Sequence, residues 1–124
     1  MSEKTVTMRY RMSDRDVFYG GGVVNGARNL TLMEDCAKRL MAKEYHNLGR
    51  CVEVKKVRLF EPSFAGDYME YIARINSVEG KLVEIEVRSF KVAIIPEEPP
   101  FPSSIDVLEE PLISTAVVFV YQAP

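Results

Sequence analysis

The sequence predicts an α+β fold, one long helix laid on a five-stranded antiparallel sheet. Three observations carry that expectation. Apolar residues recur at three- and four-residue spacing in one long stretch only, from Gly26 to about Tyr45. Five other stretches alternate apolar and polar residues or run apolar nearly throughout, as strands do. The last four of these follow one another through turn-forming residues, so they pair mostly as hairpins. At 124 residues, the chain makes a single domain, residues 1–124.

Thr5–Met12 opens the sheet, with Val6, Met8, Tyr10 and Met12 on one face and Thr7, Arg9 and Arg11 on the other. Ser13 reads as an N-cap with Asp16 three residues on, a weakened capping box before one short turn. Tyr19-Gly20-Gly21-Gly22 breaks that turn, because successive glycines make a helix interior costly. Asn25 or Gly26 starts the long helix. Leu30, Met33, Ala37, Leu40 and Met41 form its apolar face, and Arg28, Thr31, Asp35 and Arg39 the opposite one. The standard helical rise makes it roughly 30 Å long, and Asn47-Leu48-Gly49 ends it. Cys51–Phe60 is a strand whose alternation slips at Lys55-Lys56, the mark of a β-bulge. Glu61–Asp67 is a turn-rich link in which Asp67 serves the turn. Tyr68–Val78 is a strand with Met69, Tyr71, Ala73 and Ile75 on one side, and Glu79-Gly80 turns tightly into Leu82–Ile95. That strand slips phase near Ser89-Phe90, as a long, bent strand does. Pro96–Pro102 is an irregular, proline-rich loop. Pro111–Gln122 is apolar at nearly every position, so it runs centrally or is buried on both faces.

Composition narrows the chemistry. The chain is 47% apolar and 27% charged, the balance of a folded protein. Its net charge of -2 leaves no basic excess to neutralise phosphates, so nucleic acid is not an expected partner. The longest apolar run, Ala116–Tyr121, is far too short for a membrane span, and Met1-Ser2-Glu3-Lys4 lacks the apolar core of a secretory signal. The expectation is a cytoplasmic protein with no membrane partner. Two cysteines, Cys36 and Cys51, and one histidine, His46, exclude a disulfide scaffold and a zinc site of Cys and His. Neither cysteine has a base partner within sequence reach, so both are expected as buried thiols. His46 falls at the helix C-terminus, where the dipole favours an imidazolium. Chemistry is left to carboxylates, backbone amides or a bound cofactor. The glycine loop fits neither Gly-x-Gly-x-x-Gly nor a Gly-Lys-Ser/Thr phosphate loop.

Three segments carry a family resemblance. They are Arg11–Arg28 (RMSDRDVFYGGGVVNGAR), Phe60–Glu70 (FEPSFAGDYME) and Ile105–Pro111 (IDVLEEP). Together, in this order and across nearly the whole chain, they resemble the hotdog-fold ammonia-lyases that act on β-aminoacyl-CoA thioesters, the 3-aminobutyryl-CoA and β-alanyl-CoA ammonia-lyase family. The second segment is the least specific, since many hotdog thioesterases carry a similar Pro-x-x-x-Gly-Asp turn; the first is the most specific. The chain departs from the family pattern at Phe18, where the family has His, and at Arg39, where it has Glu; Asp35 is kept. The resemblance implies a hotdog fold, a sheet wrapped around one central helix, assembled at least as a homodimer and further into a hexamer. It implies reversible elimination of ammonia from a β-aminoacyl-CoA in amino-acid fermentation, such as lysine fermentation. No cofactor is implied, because CoA enters with the substrate. A hotdog thioesterase or hydratase, and a non-catalytic acyl-CoA-binding protein, stay open as alternatives.

Physical chemistry then assigns candidate roles. A helix N-terminus offers unpaired N–H groups and partial positive charge, so the amides around Gly26 and Ala27 suit a thioester oxygen. Gly20, Gly21 and Asn25 belong to the same substrate-binding loop; the plain alternative is a flexible turn before a helix. Asp35, with Glu34, is the candidate for the α-proton or the ammonium. The alternative is a solvated charged face, with Glu34–Lys38 and Asp35–Arg39 paired at four-residue spacing. Tyr19 either hydrogen-bonds substrate or plugs the loop against the core. Arg39 either points away from Asp35 or recruits an acyl group with a terminal carboxylate. Lys55, Lys56, Arg58, Arg88 and Lys91 are candidates for the CoA phosphates, or simply solvated strand residues.

Overall fold

The computed structural model describes residues 4–17 and 22–124. Tyr19, Gly20 and Gly21, three of the expected site residues, lie outside the described residues, as does Phe18. The elements run β1 (Thr5–Arg11), a short 3-10 turn (Asp14–Asp16), β2 (Val23–Val24), α1 (Gly26–Tyr45), β3 (Arg50–Leu59), β4 (Ser63–Phe64), β5 (Tyr68–Glu79), β6 (Leu82–Ile94) and β7 (Asp106–Gln122). Five strands form one antiparallel sheet in the order β1-β5-β6-β7-β3, and β2 pairs with β4 in a separate two-stranded ribbon. One long helix on a five-stranded antiparallel sheet is the hotdog arrangement.

The core forms where the apolar stripe of α1 meets the inner face of the sheet. Leu32, Met33, Cys36, Ala37, Leu40 and Met41 are buried against Met69, Tyr71 and Ala73 of β5, Val83, Ile85 and Val87 of β6, and Val117, Phe119 and Tyr121 of β7. Two-residue alternation puts these strand residues inward and their neighbours outward. Both expected phase slips are present. Register shifts fall between Val54 and Lys56 in β3 and between Ser89 and Phe90 in β6, and a second shift between Cys51 and Glu53 was not anticipated.

The helix ends where expected, and two details differ: the residue that caps it and the start of the last strand. The helix ends at Tyr45, and His46 rather than Gly49 takes the left-handed capping conformation, φ 53°, donating its N–H to Ala42 O. Gly49 serves the next step. At φ 65° its missing Cβ leaves room for Met41 Cε at 2.8 Å and Gln122 O at 3.0 Å, so the chain can pass close to β7 before pairing with it. The last strand starts at Asp106, not Pro111, because its first residues pair with Ala93 and Ile94 of β6 across a register shift.

β3 and β1 are the sheet edges. β3 is the unusual one. Val52, Val54, Val57 and Leu59 are 41, 51, 42 and 68% exposed, so the single chain leaves its apolar edge strand uncovered. Among the described residues, no helix is long and apolar enough to cross a membrane.

Candidate active site at the helix N-terminus

Two polar networks fix the first turn of α1. Arg28 donates from Nε to Asp16 Oδ1 (2.6 Å) and from an Nη to Tyr10 Oη (3.1 Å), while Tyr10 donates to Asp16 (3.0 Å to Oδ2). Asp16, 3% exposed, also accepts from the Ser13 N–H at 2.8 Å, completing the capping box that Ser13 predicts. On the other flank Asn29 is buried. Its Nδ2 donates to Ser63 Oγ (3.1 Å) and its Oδ1 accepts from Tyr71 Oη (2.9 Å). Ser63 Oγ lies 3.2 Å from Ser114 Oγ, which donates to Glu61 O at 2.7 Å. The helix start is thus tied to β1, β4, β5 and β7 by buried and part-buried hydrogen bonds, a rigid mount for backbone amides.

Asn25 is the N-cap. Its Oδ1 accepts from the Ala27 N–H at 2.6 Å and from the Arg28 N–H at 3.2 Å. The expectation that Ala27 offers its amide to a ligand is therefore corrected: that donor is used inside the cap. Gly26 N–H has no acceptor among the described residues. A glycine here is not needed for backbone conformation. Its φ is not in the left-handed region, and an added Cβ would meet only Leu59 Cδ2, at 4.0 Å. Among the described residues, no other atom comes within 4 Å of that position.

Beside this terminus runs a groove of about 250 Å³ between α1 and the β3–β7 side of the sheet, lined by Ala27, Leu30, Thr31, Glu34, Val54 and Phe119. Ala27, Thr31, Asp35 and Arg39 follow one another at four-residue spacing, and all four are exposed. The stripe therefore begins at the groove and runs down the uncovered side of the helix. The two expected charge pairs part company here. Glu34 Oε1 meets Lys38 Nζ at 3.3 Å, whereas Asp35 and Arg39 form no ion pair with each other or with any described residue. Arg39 thus leaves Asp35 free. Helical rise separates Gly26 and Asp35 by about 13 Å along the axis, and Glu34 by about 12 Å.

The remaining sequence candidates resolve by burial. Cys36 is the buried thiol expected, whereas Cys51 is only half-buried; burial pushes Cys36 up to about 11 and raises Cys51 also, so neither is a thiolate near neutrality. Asp67 is the turn residue expected, accepting from Phe64 N–H at 2.9 Å. Lys91 is withdrawn from the CoA-phosphate candidates, since it is buried, 3.3 Å from Asp67 Oδ2, and donates to Pro62 O. Lys55 is engaged by Glu84 at 2.8 Å. Sequence reasoning missed Thr31 in the groove and the Asn29–Tyr71–Ser63–Ser114 network. The signal for the network was available, because Asn29 stands four residues before Met33 on the core stripe. Tyr121 Oη, fully buried on β7, has no hydrogen-bond partner among the described residues. Among the described residues, no group of three or more His, Cys, Asp or Glu is placed to hold a metal ion.

No family model matches the sequence. Over 106 residues, 86% of this chain and 83% of the relative, the sequence is 36% identical to 3-aminobutyryl-CoA ammonia lyase of Acetoanaerobium sticklandii. The fold superposes on β-alanyl-CoA:ammonia lyase from Clostridium propionicum with a TM-score of 0.89 and 25% identity, covering 98% of this chain and 86% of that one. A hexameric thioesterase from Yersinia pestis shares the fold alone, with a TM-score of 0.75 at 15% identity over 94% of this chain and 84% of that one. Identity of 36% over most of both chains, with the same fold and a helix terminus held by hydrogen bonds to four strands, places the chain in the 3-aminobutyryl-CoA ammonia-lyase family, built on the hotdog fold.

Proposed function

We propose that this chain reversibly eliminates ammonia from a β-aminoacyl-CoA of the 3-aminobutyryl class to give an enoyl-CoA such as crotonyl-CoA. The observation that carries the reading is that, among the described residues, the Gly26 amide at the helix start has no acceptor and Asp35, on the exposed side of the same helix, has no ion-pair partner. A thioester oxygen placed against the Gly26 N–H is polarised by that donor and by the helix dipole, which acidifies the α-carbon. Asp35 accepts the α-proton, the carbon–nitrogen bond breaks, and the electron pair leaves with ammonia. Asp35 then gives its proton to ammonia, and ammonium departs. Addition is the same path in reverse.

Geometry sets a condition on this scheme. A separation of about 13 Å is far too long for Gly26 and Asp35 of one helix to act on a single acyl group, where carbonyl oxygen and α-hydrogen are near neighbours. The amide comes from one copy and the carboxylate from a second. The uncovered apolar edge of β3, beside the groove, is the surface that a second copy would close. A homodimer is therefore the smallest competent unit, and three such dimers would make a hexamer. Sedimentation at micromolar concentration is expected to give at least twice the 14.1 kDa chain mass. A monomer would remove the composite site.

Incubation with crotonyl-CoA and ammonium tests the activity. The expected product is the β-amino adduct, with no release of free CoA thiol. Free thiol would instead identify a thioesterase, and saturable binding without either product an acyl-CoA-binding module.

A further inference from the structure

On the outer face of the sheet, away from α1, lies a second groove of about 360 Å³. Its floor is Ala116 and Val118 of β7, and its walls are Lys56, Arg58, Phe60 and Arg88, with Glu86 between them. The register explains the convergence. Arg58 pairs with Ala116 and Ala116 with Arg88, so the two guanidinium stems stand on the same face across one small residue. Lys56 pairs with Val118 and Val118 with Glu86 in the next row.

The balance of charge is uneven. Glu86 is satisfied twice, by Arg88 at 3.1 Å and by Arg74 at 3.7 Å. Lys56 and Arg58 form no ion pair among the described residues. In a chain of net charge -2, this groove gathers three cations against one carboxylate that is already shared. Arg58 lies over the ring of Phe60, Cζ to centroid 5.7 Å, and Phe60 is 46% exposed. A guanidinium held on an open aromatic face is a surface on which a purine ring stacks while its phosphates meet the cations.

Position links this groove to the reacting end. Phe60 follows Leu59, and Leu59 Cδ2 is the one described atom that a Cβ built on Gly26 would meet, at 4.0 Å. The corner at the end of β3 is therefore shared between the helix terminus and the outer groove. We infer that the outer groove binds the phosphorylated adenosine end of the CoA thioester, with Lys56, Arg58 and Arg88 on its phosphates and Phe60 against its base. The inference rests on the acyl-CoA reading of the helix terminus and adds the nucleotide subsite to it.

The test compares crotonyl-CoA with crotonyl-pantetheine, which keeps the thioester and arm but lacks the nucleotide. The parent protein is expected to show a KM at least tenfold lower for crotonyl-CoA. In the double variant Lys56→Ala/Arg58→Ala that ratio should fall toward one, and the salt dependence of KM should weaken. A ratio near one in the parent, or a ratio unmoved by the double variant, overturns the subsite. Sedimentation of the same variant guards against a second explanation, since dissociation of the assembly with an unmoved ratio shows the groove to be an interface between copies. If neither thioester is aminated, the lyase reading fails separately. Calorimetric titration with CoA and with pantetheine, which needs no turnover, then decides the subsite by the same ratio.

Discussion

Asp35→Asn is expected to lower ammonia addition to crotonyl-CoA by about 10²- to 10⁴-fold, the contribution of a positioned acid–base group. The amide keeps the shape of the side chain and cannot take up the α-proton. Because Asp35 is exposed and unpaired in the single chain, the substitution breaks no described contact, so stability should stay within about 0.5 kcal/mol of the parent. Glu34→Gln is the matched control on the same helix. It breaks the ion pair with Lys38, a four-residue surface pair worth about 0.3–0.5 kcal/mol, and should cost far less activity. Initial rates of amine adduct formation, with binding of crotonyl-CoA followed in parallel, separate the outcomes. A rate within a few-fold of the parent for Asp35→Asn would make Asp35 a surface charge. The reverse ranking would move proton transfer to Glu34, which lines the groove.

That ranking shows where the sequence stops informing. Glu34–Lys38 and Asp35–Arg39 have identical spacing and order, yet only the first pair forms. The four-residue rule gives proximity on a helix face; it does not say which rotamers meet, nor which face a second copy will cover. The long helix, its start at Asn25 or Gly26 and the slips in β3 and β6 were legible, because hydrophobic period and cap chemistry act over a few residues. β2 and β4 were not, since two-residue strands carry no period. The start of β7 was hidden by Glu109-Glu110-Pro111, which read as loop although the flanking residues pair with β6. The expected Ala27 donor failed for a local reason: the cap that positions the helix also consumes that amide. The proposed closure of the site by a second copy rests on exposure that no local pattern announces: Val52, Val54, Val57 and Leu59 of β3 alternate with charged residues as a half-buried strand does, yet among the described residues nothing covers them.

Asp16→Asn should produce the largest loss of stability, about 2–3 kcal/mol near neutral pH, because it leaves the partly buried Arg28 guanidinium without its anion. The position makes this worse. Arg28 stands in the first turn of α1, where the dipole disfavours a cation, and Asp16 supplies the compensating charge. Burial alone would raise the Asp16 carboxyl. The Ser13 amide, the Arg28 and Tyr10 hydrogen bonds and the Arg28 charge together outweigh burial and hold it below the usual carboxylate value of 3.8. A carboxyl depressed in the folded state stabilises the fold above its unfolded pKa and loses that contribution as pH falls through its folded value. Urea unfolding of the parent should therefore weaken from about pH 4 downward, as Asp16 takes up its proton. The Asn variant lacks that component, so the stability gap between the two proteins should narrow as the pH drops. A gap that stays constant from about pH 7 to about pH 2 would show that Asp16 acts through shape and neutral hydrogen bonds, not through its charge. The same variant connects fold to chemistry. Loosening Arg28 frees one side of the mount beneath the Gly26 amide, so the Asn variant should also lose activity under conditions where it remains folded.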